Sequence, residues 1–131
     1  MLAGDLSRES HWRSRQNETP FLLDEEARHM TLRVILTVCS HRAWTAHAVH
    51  VRTTHIHAVI GGELAPERML SDFKAYATRA FRRDKGEIQR RRYWTDHGST
   101  RYLWNEASLR AAIEYVLNGQ GARMASYPVD P

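Results

Sequence analysis

Two histidines one residue apart, His55 and His57, sit in the apolar run VRTTHIHAVIGG. In an extended strand residues i and i+2 share a face. Both imidazoles then project side by side, and Ile56, Ala58 and Ile60 turn the other way. Neutral imidazoles so placed can bind one divalent cation. The bland alternative is a polar pair on a wet sheet face. A pair is also an incomplete metal site, because a cation wants a third protein ligand or a substrate oxygen.

A second feature lies some sixty residues on. Leu109, Ala112, Ile113, Val116 and Leu117 recur at helical spacing and form a core stripe. Tyr115 falls roughly 130° from the centre of that stripe at about 100° per residue. It is a large aromatic turned away from its own helix's core, and a tyrosine hydroxyl can act as a covalent nucleophile. The competing possibility is an ordinary flank tyrosine that packs its ring on a neighbour.

Between the two features the charge is uneven. Arg79, Arg82, Arg83, Lys85, Arg90, Arg91, Arg92 and Arg101 face only Asp84, Glu87 and Asp96, in a chain whose net charge is +4. A basic cluster beside a nearly neutral remainder suits a phosphate backbone; otherwise it is a solvated loop. Tyr93, Trp94 and Trp104 add stacking surfaces. Tyr76 lies near the apolar stripe of its helix and reads as core.

The elements that must hold these residues follow from periodicity and capping. Asp24 reads as the N-cap of a helix over about 24–40, with Glu25 and Glu26 in its first turn. AWTAHAVHVR (43–52) and HIHAVIG (55–61) read as two strands joined by a short turn, an antiparallel hairpin. Pro66 opens a helix over about 66–83. YWTDHGSTRYLW contributes one or two short strands with a turn at His97-Gly98. Asn105 caps a helix over 106–118, which Gly119 and Gly121 end. Nothing before residue 20 reads as a strand, and the tail shows no pattern.

These elements predict an α+β fold, a ferredoxin-like sandwich with helices packed on a small antiparallel sheet. The expected organisation is an irregular arm over 1–20, one catalytic domain over 21–127, and a tail over 128–131. A chain of 131 residues with 42% hydrophobic content suits a single core. No apolar run spans a membrane and the start is not a signal peptide, so a cytoplasmic protein is expected. The single cysteine, Cys39, permits no internal disulfide and reads as a small buried side chain.

Taken together, AWTAHAVHVRTTHIHAVI (43–60), FKAYATRAFRR (73–83), YWTDHGSTRYLW (93–104) and LRAAIEYVLNGQG (109–121) resemble the single-tyrosine HUH transposases. The similarity is greatest to the REP-associated and insertion-sequence transposase-like proteins. The resemblance covers about residues 20–127. It implies that His55 and His57 hold Mg²⁺ or Mn²⁺ and that Tyr115 attacks DNA. It implies a helical Gln as third ligand, and Gln120 matches. At i+5 that residue shares the tyrosine's face if Gly119 breaks the helix and swings it back; otherwise Asn118, at i+3, is the better-placed amide. The arginines at 79, 82, 83, 90, 91, 92 and 101 become DNA contacts.

The implied activity is nicking and rejoining of single-stranded, hairpin-associated DNA through a 5′-phosphotyrosine. A homodimer that shares its tyrosines is a further implication. The alternative is a catalytically inactive or domesticated hairpin-binding protein of the same fold. More distant rivals are a replication or conjugation nickase and an unrelated metal hydrolase. In the family a first strand lies beside the HUH strand. LAGD resembles the segment after that strand, so the sheet is expected to lack it and Met1 to be an internal start.

Overall fold

The computed structural model describes residues 8–16, 23–85 and 94–128. Along the chain run β1 (Arg8–Gln16), α1 (Glu25–Arg42), β2 (Thr45–Val51), β3 (His55–Gly62), α2 (Pro66–Lys85), β4 (Trp94–Leu103), α3 (Glu106–Asn118) and β5 (Ala125–Tyr127). The strands form one antiparallel sheet in the order β4-β1-β3-β2-β5. The first four strands and two helices give the expected ferredoxin-like arrangement, and α3 and β5 extend it.

Local signals account for the helices. The Asp24 carboxylate accepts the Ala27 N–H at 2.8 Å, capping α1. The helix ends where Ala43 takes a left-handed conformation, φ 58°, which lets its N–H reach back to the last turn. Asn105 caps α3 by accepting the Ser108 N–H at 2.8 Å. At the other end Gly119 donates its N–H to the Tyr115 carbonyl at 2.9 Å.

The sheet is the middle of three layers. One face carries Trp12, Val49, Val51, Ile56, Ala58 and Ile60, which pack with Ile35, Met69, Phe73 and Phe81 of α1 and α2. The opposite face presents Ala48, Val59 and Leu103 to Leu109, Ala112, Val116 and Leu117 of α3. Each fully buried large aliphatic or aromatic side chain contributes about 1.5–3 kcal/mol. The α3 layer has the smaller apolar set, so its attachment also depends on polar contacts. Among the described residues no helix is long and apolar enough to cross a membrane.

Three expectations are corrected. Residues 8–16, expected as part of an irregular arm, form β1, so the sheet does not lack a strand beside the HUH strand. β1 sits between β4 and β3, pairing Glu9 with Gly61, His11 with Val59 and Arg13 with His57. The segment 94–103 is one strand that runs through His97-Gly98, with Gly98 opposite Ser14, rather than two strands with a turn there. Tyr76, expected in the core, is 38% exposed, because the sheet leaves its side of α2 uncovered. Residues 125–127, at the end of the expected domain, add β5, a short edge strand against β2.

Cys39 is 2% exposed, and desolvation pushes its thiol up to about 12. It is a packing residue without thiolate reactivity.

Candidate active site

The α3 face of the sheet carries a cluster of titratable residues. Because side chains alternate, β1 sends Glu9, His11 and Arg13 to this face, and β3 sends His55 and His57. A cleft of about 510 Å³ opens there, lined by His11, Arg13, His57, Thr100, Ala111, Ala112 and Tyr115. One histidine of the expected pair, His57, and Tyr115 therefore meet in this cleft, whereas His55 is not among its lining residues. The Tyr115 ring stands edge-on to His57 at 5.8 Å between centroids and 6.2 Å from His11. Tyr115 is 48% exposed, so a substrate can reach it.

His57 is buried, at 5% exposure. Desolvation, followed by the neighbouring charges of His11, Arg13, His55 and His50, pulls its pKa down to about 3. The ring is neutral at physiological pH, which is the form that binds a metal. Its Nδ1 lies 3.5 Å from His11 Nε2. His55 follows at 6.5 Å between centroids, its Nδ1 hydrogen-bonded to the Thr54 hydroxyl at 2.9 Å. Among the described residues no group of three or more His, Cys, Asp or Glu is arranged to hold a metal ion. Two imidazoles suit a divalent cation chemically, but by themselves they leave its coordination incomplete.

The depressed pKa has a consequence for stability. An unfolded His57 takes up a proton as pH falls below about 6.5, while the folded one resists until about 3. Stability is therefore full above pH 6.5 and falls progressively toward pH 3, by several kcal/mol in total. Denaturant titrations at pH 7.5, 5.5 and 4.5 should show a falling midpoint, and His57→Phe should flatten part of the slope.

A further histidine, His50, fastens α3. It is fully buried and lies opposite His57 across β2 and β3. Its Nδ1–H donates to the Val116 carbonyl at 2.9 Å, and its Nε2 accepts the Met124 N–H at 2.9 Å. Burial is the main cause of its lowered pKa. The neutral tautomer alone satisfies both partners. Val116 follows Tyr115, so this clamp sets the position of the tyrosine's turn.

At the opposite end of β3, the Glu9 carboxylate accepts from His47 Nε2 at 2.9 Å. The pair lies over Gly61, where a Cβ would overlap the carboxylate.

Gln120 and Asn118 are turned elsewhere. The Gln120 amide donates to the Val116 carbonyl at 3.1 Å, beside His50. Asn118 donates to Glu114 at 3.1 Å and accepts from Arg123. Neither lines the cleft.

Gly119 is needed for the tyrosine itself. A Cβ there would stand 2.7 Å from Tyr115 Cδ1. The same Cβ would stand 2.8 Å from the Tyr115 carbonyl oxygen, so Gly119→Ala must shift the helix end as well as the ring. A stability loss of about 1–2 kcal/mol is expected, read by thermal melting, with the Tyr115 ring resonances displaced.

The expected DNA-contacting arginines divide. Arg79 and Arg83 line a groove of about 820 Å³ between α1 and α2, together with Arg33, His41, Arg42 and Tyr76. Arg79 stacks on Tyr76 at 4.6 Å. Arg82 is half-buried on α2. This groove is on the opposite side of the sheet from Tyr115. Arg90, Arg91 and Arg92, with Tyr93, lie outside the described residues. Arg101 is in β4, with its side chain outside them. Trp104, 67% exposed, pairs with Tyr102 at 5.2 Å.

Sequence reasoning missed His11, Arg13 and His50. The first two are in a strand it did not see. A period-2 array of titratable residues, Glu9, His11 and Arg13, was the available signal.

No protein-family model matches the chain, and no curated protein matches it significantly. Solved structures do. One is a REP-associated tyrosine transposase bound to a REP hairpin. It has a TM-score of 0.65 and 14% identity over 90% of this chain and 67% of that one. Another, from Deinococcus radiodurans and provisionally described as a transposase, has a TM-score of 0.65 and 14% identity over 93% and 98%. At that identity the likeness is one of fold: this chain has the fold of the transposase structures it resembles.

Proposed function

We propose that the chain is a metal-dependent DNA strand transferase that nicks and rejoins single-stranded, hairpin-associated DNA through a 5′-phosphotyrosine on Tyr115. The observation that carries this reading is the seating of the Tyr115 ring against His57 and His11 in one cleft, with Arg13 at its edge. The hairpin held by the transposase of similar fold supports DNA as the partner.

Each residue has a task in this mechanism. Arg13 grips the scissile phosphate and aligns it with the tyrosine. The Tyr115 oxygen attacks phosphorus, the bond to the 3′-oxygen breaks, and that oxygen leaves as a 3′-hydroxyl carrying the proton that tyrosine gave up. His55 and His57 would hold Mg²⁺ or Mn²⁺, whose contribution is to offset charge on the phosphoryl oxygens. Attack by a 3′-hydroxyl on the phosphotyrosine reverses the step and joins ends without ATP, since one phosphodiester is exchanged for another.

The α1–α2 groove favours a second reading. Arg33, Arg79 and Arg83 offer phosphate contacts on the side away from Tyr115. Binding there can persist without chemistry, as in an inactive hairpin-binding descendant.

The two readings are separated by incubating labelled single-stranded hairpin DNA with the protein and Mn²⁺ on a denaturing gel. A protein-linked DNA band that chelator suppresses is expected. Retarded DNA on a native gel with no covalent band establishes the binding module instead. Cleavage undiminished in His57→Ala removes the metal assignment.

A further inference from the structure

We propose that His11 is a metal ligand of the cleft, its Nε2 sharing one divalent cation with Nδ1 of His57 beside Tyr115. This rests on the metal-dependent reading above and names a donor that reading does not contain.

The first argument is distance. Two nitrogens bound to one zinc at about 2.0–2.1 Å in a tetrahedral arrangement stand about 3.3–3.4 Å apart. The observed Nε2 to Nδ1 separation is 3.5 Å. An N–H···N hydrogen bond between imidazoles would be expected at about 3 Å, so 3.5 Å lies at its weak limit. The separation fits a shared cation better than a shared proton.

The second argument is placement. β1 and β3 are neighbours in the sheet, and His11 lies opposite Val59, two residues from His57 on the same face. The two rings approach to 5.7 Å between centroids, closer than the 6.5 Å between His55 and His57. His11 also lines the cleft, whereas Gln120 and Asn118 do not. The cation would sit next to the Tyr115 ring, which His11 and His57 both approach.

The third argument is donor chemistry. An imidazole set suits Zn²⁺ best, binds Mn²⁺ more weakly because Mn²⁺ stands lowest in the first-row affinity order, and suits oxygen-preferring Mg²⁺ least. The same set therefore predicts a stronger response to Mn²⁺ or Zn²⁺ than to Mg²⁺.

The test uses the full chain and the metal alone. Calorimetry with Mn²⁺ should give binding that His11→Phe weakens at least tenfold, while Gln120→Ala leaves it unchanged. Phenylalanine keeps the ring in the stack and removes only the nitrogens. Pulsed electron paramagnetic resonance counts imidazole nitrogens on bound Mn²⁺, and His11→Phe should remove one. An unchanged count and affinity overturn the proposal and leave a His55–His57 site standing. On the wild-type protein, imidazole ¹⁵N spectra with Zn²⁺ should move His11 Nε2 and His57 Nδ1 together. A shift confined to His55 and His57 overturns the assignment even if the variant fails to fold. Absence of any Mn²⁺ or Zn²⁺ binding overturns it too, while the DNA adduct on Tyr115 remains a separate observation.

Discussion

Tyr115→Phe is expected to abolish the covalent protein–DNA adduct and to leave folding and hairpin binding unchanged. The side chain is half-exposed, so removing its hydroxyl orphans no buried partner. The phenyl ring retains the edge-on contact with His57. Stability should change by less than about 0.5 kcal/mol, as for an exposed site. Phenylalanine offers no oxygen to phosphorus, so strand cleavage should fall on the order of 10⁴-fold or more. A denaturing gel reads the adduct, and a melting curve with a native gel reads the rest. Adducts that persist in this variant would assign the nucleophile to another residue.

The second large effect is expected at His50. In His50→Phe the Met124 N–H loses its acceptor, and the Val116 carbonyl keeps only the Gln120 amide. Two hydrogen bonds worth about 0.5–1.5 kcal/mol each are lost, and the larger ring must also be fitted into a site with no exposure. A loss of about 2–4 kcal/mol is expected in denaturant unfolding. Activity should fall further than the folded fraction, because the residue after Tyr115 is the one released. Equal losses of activity and folded protein would show that His50 only stabilises.

The parts that could be read from sequence were those with clean periodicity. The Leu109–Leu117 stripe fixed the rotation of α3 and hence the outward turn of Tyr115. The alternation around His55 and His57 placed both on one face. β1 was hidden because RESHWRSRQ has a single large apolar residue, Trp12, on its core side. Its other side is polar because it lines the cleft. The polarity of the cleft removes the hydrophobic pattern by which strands are recognised. β4 was split for a similar reason, since Gly98 interrupts an otherwise polar segment. The resemblance pointed to Gln120, and helix geometry raised Asn118 beside it. Their neighbours, Val116, Glu114 and Arg123, were decided by how the chain turns after Gly119.

The central position of β1 also constrains the order of folding. Its ladder partners are on β3 and on β4, the latter as far along the chain as Leu103. Such distant pairings slow folding, because loop closure must precede any gain from contact. During synthesis β1 precedes both of its partners: one edge waits for β3, and the other stays unpaired until β4 has followed. Charged residues protect a waiting strand from joining another chain. Arg8, Glu9, Arg13 and Arg15 supply them. The polarity that this strand turns to the cleft is also what keeps it single until β3 and β4 arrive.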